Sequence, residues 1–169
     1  MEARLGSARL AGANLRYANF LAADLQGADL SQSHLIGANF KDASLRSADL
    51  RGAQMTEADL TRADLRTGRL QRAHLDRANL LNADLRRADL RRASLRQARL
   101  QGAEMSGADL RDADLARSNL TAANLTNANL DGADLRGANL SEARISAAQL
   151  AQALTDASTR LDDAEIVRY

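Results

Sequence analysis

The sequence predicts an all-β fold, a parallel β-solenoid, from two observations: a five-residue period that runs unbroken from Leu5 to Leu150, and an Ala- and Leu-rich composition without proline. Every fifth residue in that span is large and apolar, with 25 Leu joined by Phe20, Phe40, Met55, Met105 and Ile145. Two residues earlier stands Ala in 27 of the 30 units, so the unit reads A-x-L-x-x. A helix is excluded because five steps of about 100° move the apolar position by roughly 140° and smear it around the axis. A straight strand is excluded because an odd period sends successive Leu residues to opposite faces. Ala and Leu, two apart, share the inner face of a short extended side, and the three-residue step to the next Ala must turn a corner. Sides closed into coils and stacked at about 4.8 Å pair the backbone of each coil with its neighbours. Proline would remove an N–H from that ladder, and none occurs.

The side chains that fill this frame follow from the composition. With 169 residues, 45% hydrophobic and 27% charged, the chain is long and apolar enough to fold. Aromatics are only 2%, so Ala and Leu make the interior, with Leu25, Leu45, Leu65 and Leu85 among the core residues. Phe20 and Phe40, both at inward positions, are expected to pack locally within the core. Ser33 and Ser118 replace the inward Ala and are expected to bond nearby backbone, while Gly68 marks either a loose coil or a close backbone approach. The absence of Cys excludes disulfides, thiolate metal sites and cysteine nucleophiles. The net charge of +1 gives no global attraction to nucleic acid or membrane, and no apolar run suits a signal peptide or a spanning helix, so a cytoplasmic protein is expected.

Units such as Ala23-Asp24-Leu25 and Ala78-Asn79-Leu80 resemble the pentapeptide repeat family, over about residues 3–150. The resemblance implies a right-handed quadrilateral parallel β-helix with four units per coil, hence about 7.5 coils and a rod on the order of 36 Å long. Glycines separated by multiples of twenty, such as Gly27 and Gly107, Gly37 and Gly137, or Gly12, Gly52 and Gly132, agree with that coil. Two segments are expected: a solenoid over 1–150, and degenerate repeats over 151–169 that cap the last coil or pair it with a second copy. In the latter, Thr155 takes the next Leu slot and Leu161 and Ile166 restart one residue late. Leu154, Val167 and Tyr169 supply further apolar surface there.

Function must lie in the outward residues. The residue before the apolar position is Asp in ten units and Asn in eight, types whose side chains bond backbone at corners. Asp-Leu-Arg recurs six times, beginning at Asp49, Asp64, Asp84, Asp89, Asp109 and Asp134, and the two charges, on one side of an extended segment, are expected to pair. The candidate partner surface is Arg46, Arg66, Arg86, Arg91, Arg92 and Arg111 with Asp64, Asp84, Asp89 and Asp109. From Arg62 to Arg99 eleven Arg stand against four acids, a net +7 belt suited to phosphate or an acidic partner. Nucleic acid is the weaker expectation, because no aromatics are interleaved for base stacking. His34 and His74 fall two coils apart, about 9.6 Å, too far to share a metal. Tyr17, Leu21 and Ile36 form a candidate apolar contact.

No Ser-His-Asp set, pocketed carboxylate pair or phosphate loop is present, so neither an enzyme nor a cofactor is expected. The leading expectation is a rigid, non-enzymatic scaffold that displays outward side chains to a protein partner or to another copy of itself. The resemblance supplies an alternative. Some members bind DNA gyrase or topoisomerase IV by imitating the shape and charge of duplex DNA, and so protect against quinolone-like poisons. Two rods of this length joined at their C-terminal ends would span about 70 Å. That mechanism needs a dominantly acidic surface, and here the acids are interleaved with Arg.

Overall fold

The computed structural model describes residues 4–161 and the backbone of 166–167. Its backbone pairs in parallel with an offset of twenty residues, from Arg4 against Asp24 to Asp134 against Leu154. One turn of the solenoid therefore spans four repeat units. Each side is so short that a single residue forms the bridge, which is why few residues count as strand. The N–H of each inward Leu donates to the next coil, as from Leu65 to the Asp84 carbonyl at 2.7 Å, and the bridging residue's N–H donates back, as from Asp84 to the Ala63 carbonyl at 2.9 Å.

The corners are β-turns in which the Ala N–H donates to the preceding Leu carbonyl, for example Ala73 to Leu70 at 3.0 Å. The third turn residue sits in the left-handed region at nearly every corner, and most of these residues are not glycine: Thr67 has φ 56° and Arg72 φ 58°. Such a conformation is costly for an L residue, and above all for a β-branched one. The ladder holds it in place, since the N–H of Arg72 donates to the Arg91 carbonyl at 3.0 Å.

The inward Leu and Ala are almost wholly excluded from water from Ala23 to Ile145. Phe20 and Phe40 stack with ring centroids 4.9 Å apart. The inward Ser33 hydroxyl donates to the Leu30 carbonyl. The equivalent Ser118 hydroxyl departs from expectation and has no partner among the described residues. At Gly68 a Cβ would stand 2.9 Å from the Leu65 carbonyl oxygen, which identifies a close backbone approach rather than a loose coil.

The repeat ends sooner than its sequence pattern. After β1 (Ile145–Ser146), the unit containing Ala148 and Leu150 forms a helix, α1 (Ala147–Gln152). The reason is a capping box: the Ser146 hydroxyl accepts from the Gln149 N–H and the Gln149 side chain accepts from the Ser146 N–H, ahead of residues with good helix propensity. Gln149 also donates to the Leu125 and Ala128 carbonyls at 2.7 and 2.8 Å, so the helix closes onto the preceding coil. Leu154 keeps the twenty-residue register, whereas Arg160 pairs with Asn139 at an offset of twenty-one. The extra residue lies in the loop where Asp156 accepts the N–H groups of Ser158 and Thr159. β2 (Ile166–Val167) keeps the shifted register against β1. The stretch Asp162–Glu165 and Tyr169, expected to belong to the C-terminal cap or contact, lie outside the described residues.

Candidate partner-binding surface

The surface is built from one local device. An Asp or Asn before the inward Leu turns its side chain toward the corner and accepts the N–H of the residue two further on, as at Asp24 with Gln26 and Asn119 with Thr121. When that residue is Arg, its side chain closes onto the same carboxylate. In all six Asp-Leu-Arg units Nε donates to Oδ1 at 2.8–2.9 Å and Nη2 to Oδ2 at 2.6–2.7 Å, giving a two-pronged pair.

Stacking joins these pairs between coils. Arg46 lies 4.0 Å from Asp64, Arg66 3.4 Å from Asp84, and Arg91 3.6 Å from Asp109. The predicted residues thus assemble as two neighbouring ion-paired columns, one with Arg46, Arg66, Arg86, Asp64 and Asp84, the other with Arg91, Arg111, Asp89 and Asp109. Arg92 stands beside the second and faces Asp112 at 3.4 Å. The guanidinium groups are roughly half exposed, so solvent screens each pair and the main effect is to fix side-chain direction.

The charges respond accordingly. Burial pushes the Asp64 carboxyl up, but hydrogen bonds from the Arg66 side chain and backbone, with the Arg66 and Arg46 charges, outweigh it and hold Asp64 below the ordinary carboxylate range. Asp89 follows the same balance, with Arg91 and the Gln71 amide as donors. At Asp109 the Arg111 hydrogen bond is the largest influence and lowers the carboxyl. The Asp64 hydrogen bond raises the Arg66 guanidinium further above its already high value.

Tyr17 is 76% and Leu21 48% exposed, while Ile36 is half-buried. The Tyr17 ring lies across Gly37, where a Cβ would fall 2.6 Å from it, and the Tyr17 N–H donates to the Ile36 carbonyl. His34 and His74 are separated by the coil of Gln54, which bridges to both. Among the described residues no cluster of His, Asp or Glu is arranged to hold a metal ion, and no helix is long and apolar enough to cross a membrane.

Sequence reasoning did not single out Gln71, which donates to Asp89, nor the pairs Arg62–Asp42 and Arg96–Asp114, at 2.7 and 2.8 Å. Their signal was available: partners across one coil are 18 or 20 apart in sequence.

A continuous parallel ladder around a dry core, with every charge on the outside, defines a β-solenoid repeat protein. The sequence profile of the pentapeptide repeats matches the chain in eight copies, over residues 2–32, 23–62, 58–97, 78–117, 88–126 and 118–154. The chain belongs to the pentapeptide repeat family, whose members are generally non-enzymatic structural or binding proteins. Among solved structures, a trypsin-treated variant of QnrB1, a plasmid-mediated fluoroquinolone resistance protein, aligns over 95% of this chain and 88% of its own at 18% identity, with a TM-score of 0.58. That likeness shows the fold, a right-handed β-helix. HetL, a pentapeptide repeat protein involved in heterocyst differentiation regulation from the cyanobacterium Nostoc sp. strain PCC 7120, is 29% identical over 98% of this chain and 85% of its own, with a TM-score of 0.43. A pentapeptide repeat protein of the Arabidopsis thaliana thylakoid lumen is 28% identical over 67% of this chain and 65% of its own, with a TM-score of 0.31. No curated protein matches the chain in sequence.

Proposed function

We propose that this protein is a non-enzymatic, rigid docking module that presents its ion-paired arginine and aspartate columns to a protein partner in the cytoplasm. The observation that carries this reading is the six two-pronged Asp-Leu-Arg pairs. They set long cationic side chains in fixed directions on a backbone that cannot rearrange, which lowers the ordering cost of binding. The rod over 1–150 comprises about 7.5 coils of four pentapeptides, with its last unit wound into helix α1, and is some 36 Å long at the spacing of stacked strands. The partner surface is Arg46, Arg66, Arg86, Arg91, Arg92 and Arg111 with Asp64, Asp84, Asp89 and Asp109. Tyr17, Leu21 and Ile36 form a separate apolar contact, and residues 151–169 cap the rod or join it to a second copy.

A second reading, imitation of duplex DNA toward gyrase, is favoured by the fold that this chain shares with QnrB1. Against it stands the arginine pairing of Asp64, Asp84, Asp89 and Asp109, since a basic DNA-binding saddle would meet a guanidinium group beside each of these carboxylates. A gyrase supercoiling titration, with and without a quinolone, separates the two. The docking-module reading expects no effect at tens of micromolar protein. Inhibition or quinolone protection at low micromolar levels would replace it with the DNA-mimic reading.

A further inference from the structure

We propose that the corner running from Ser31 to Asp112 is a docking groove for an acidic peptide segment of the partner, an assignment that rests on the docking-module reading and makes it specific. Two shallow depressions, of about 330 and 580 Å³, share Gln71, Arg72 and Arg91 and so run on from one another along the rod. Arg51, Arg69, Arg72, Arg91, Arg92 and Arg111 line them, against the single carboxylate of Asp112. The opening has a local cause. Gly52 has no side chain, and the Gln32 amide folds across its Cα into the place a Cβ would take, so that corner of the wall stays low.

The hydrogen-bonding capacity of this groove is lopsided. Arg51, Arg91 and Arg111 spend Nε and Nη2 on Asp49, Asp89 and Asp109, which fixes their planes and leaves the Nη1 hydrogens without a protein acceptor among the described residues. Arg72 has no carboxylate within ion-pair distance among the described residues. The groove is therefore rich in unspent donors, and the Gln71 amide within it turns its N–H to Asp89. An acidic peptide supplies the complement, carboxylates that take both free hydrogens of a guanidinium end. A single-stranded nucleic acid would bring bases that need stacking partners, and the groove has no aromatic residue. Four coil steps separate Ser31 from Arg111, about 19 Å, the length of about six extended residues.

The test is fluorescence anisotropy of the full chain at low salt with fluorescein-labelled hexaglutamate, set beside labelled oligothymidylate of the same length. Arg72→Glu/Arg92→Glu should weaken hexaglutamate binding about tenfold or more. Lys41→Glu/Arg62→Glu, on the opposite corner and equal in net charge change, should leave it within about twofold, because the effect belongs to the groove and not to overall charge. Equal loss in both variants, no hexaglutamate binding by the parent protein, or tighter binding of oligothymidylate would each overturn the groove. A cellular partner captured equally by the parent protein and by Arg72→Glu/Arg92→Glu would also overturn the groove, while leaving the docking module standing.

Discussion

Replacing the two inward serines by alanine should shift stability in opposite directions. Both occupy the slot that holds Ala in 27 of 30 units, and both are fully buried. The Ser118 hydroxyl has given up water without gaining a partner among the described residues, a cost of about 1–3 kcal/mol that Ser118→Ala removes. The lost oxygen leaves a small void that offsets part of this gain, so a net stabilisation of about 1 kcal/mol is expected. Ser33 donates to the Leu30 carbonyl, and Ser33→Ala forfeits that bond, a destabilisation of about 0.5–1.5 kcal/mol. For a chain of this length a change of 1 kcal/mol moves Tm by about 2–4 °C. Circular dichroism melts of the two variants and the parent protein should bracket the parent value. A Ser118→Ala protein that melts as low as Ser33→Ala would refute the reasoning, because the hydroxyl would then have a partner or the slot would not tolerate Ala.

Other consequences are open to direct measurement. Leu85→Ala, at a fully buried mid-rod position, should cost about 2.7–5 kcal/mol by urea titration, and Leu10→Ala, in the partly exposed first coil, well under half of that. Asp49, Asp64, Asp89, Asp109 and Asp134 all lie below the ordinary carboxyl value of 3.8, so they bind fewer protons folded than unfolded. Their contribution is complete above that value and is lost as pH falls through and below it, so Tm should be flat at neutral pH and drop on acidification past 3.8. Carbon-detected NMR titration should find the Asp64 midpoint below 3.8, and a midpoint above it would contradict the Arg66 pairing. Ser146→Ala should cost about 0.5–2 kcal/mol and raise hydrogen exchange in α1 while leaving the mid-rod ladder protected.

The solenoid was legible because its rule is local and repeated: Ala and Leu two apart, then a three-residue corner, leave a chain of this composition no other way to keep both inside. The Asp-Leu-Arg pairs were legible for the same reason, since both partners lie on one side of one coil. What escaped depended on longer or subtler relations. The Arg62–Asp42 and Arg96–Asp114 pairs join different coils and emerge only from the twenty-residue register. Left-handed corners at Thr67 and Arg72 carry no glycine or asparagine to announce them, because the ladder rather than residue preference enforces the conformation. Helix α1 hid inside a unit that fits the repeat, and only the Ser146 and Gln149 capping box, a signal of another period, marks it. The Arg-lined groove depends on arginines from four stacked coils, which stand about twenty residues apart in sequence and meet only through the register.

The account's central claim is that the fixed arginine columns dock a protein partner. It is tested most directly by affinity capture from cells that express the protein, comparing the parent chain with Arg86→Glu/Arg91→Glu/Arg92→Glu after circular dichroism shows both folded. The account predicts that a partner retained by the parent chain is lost from the variant. An identical set of captured proteins from both would contradict it.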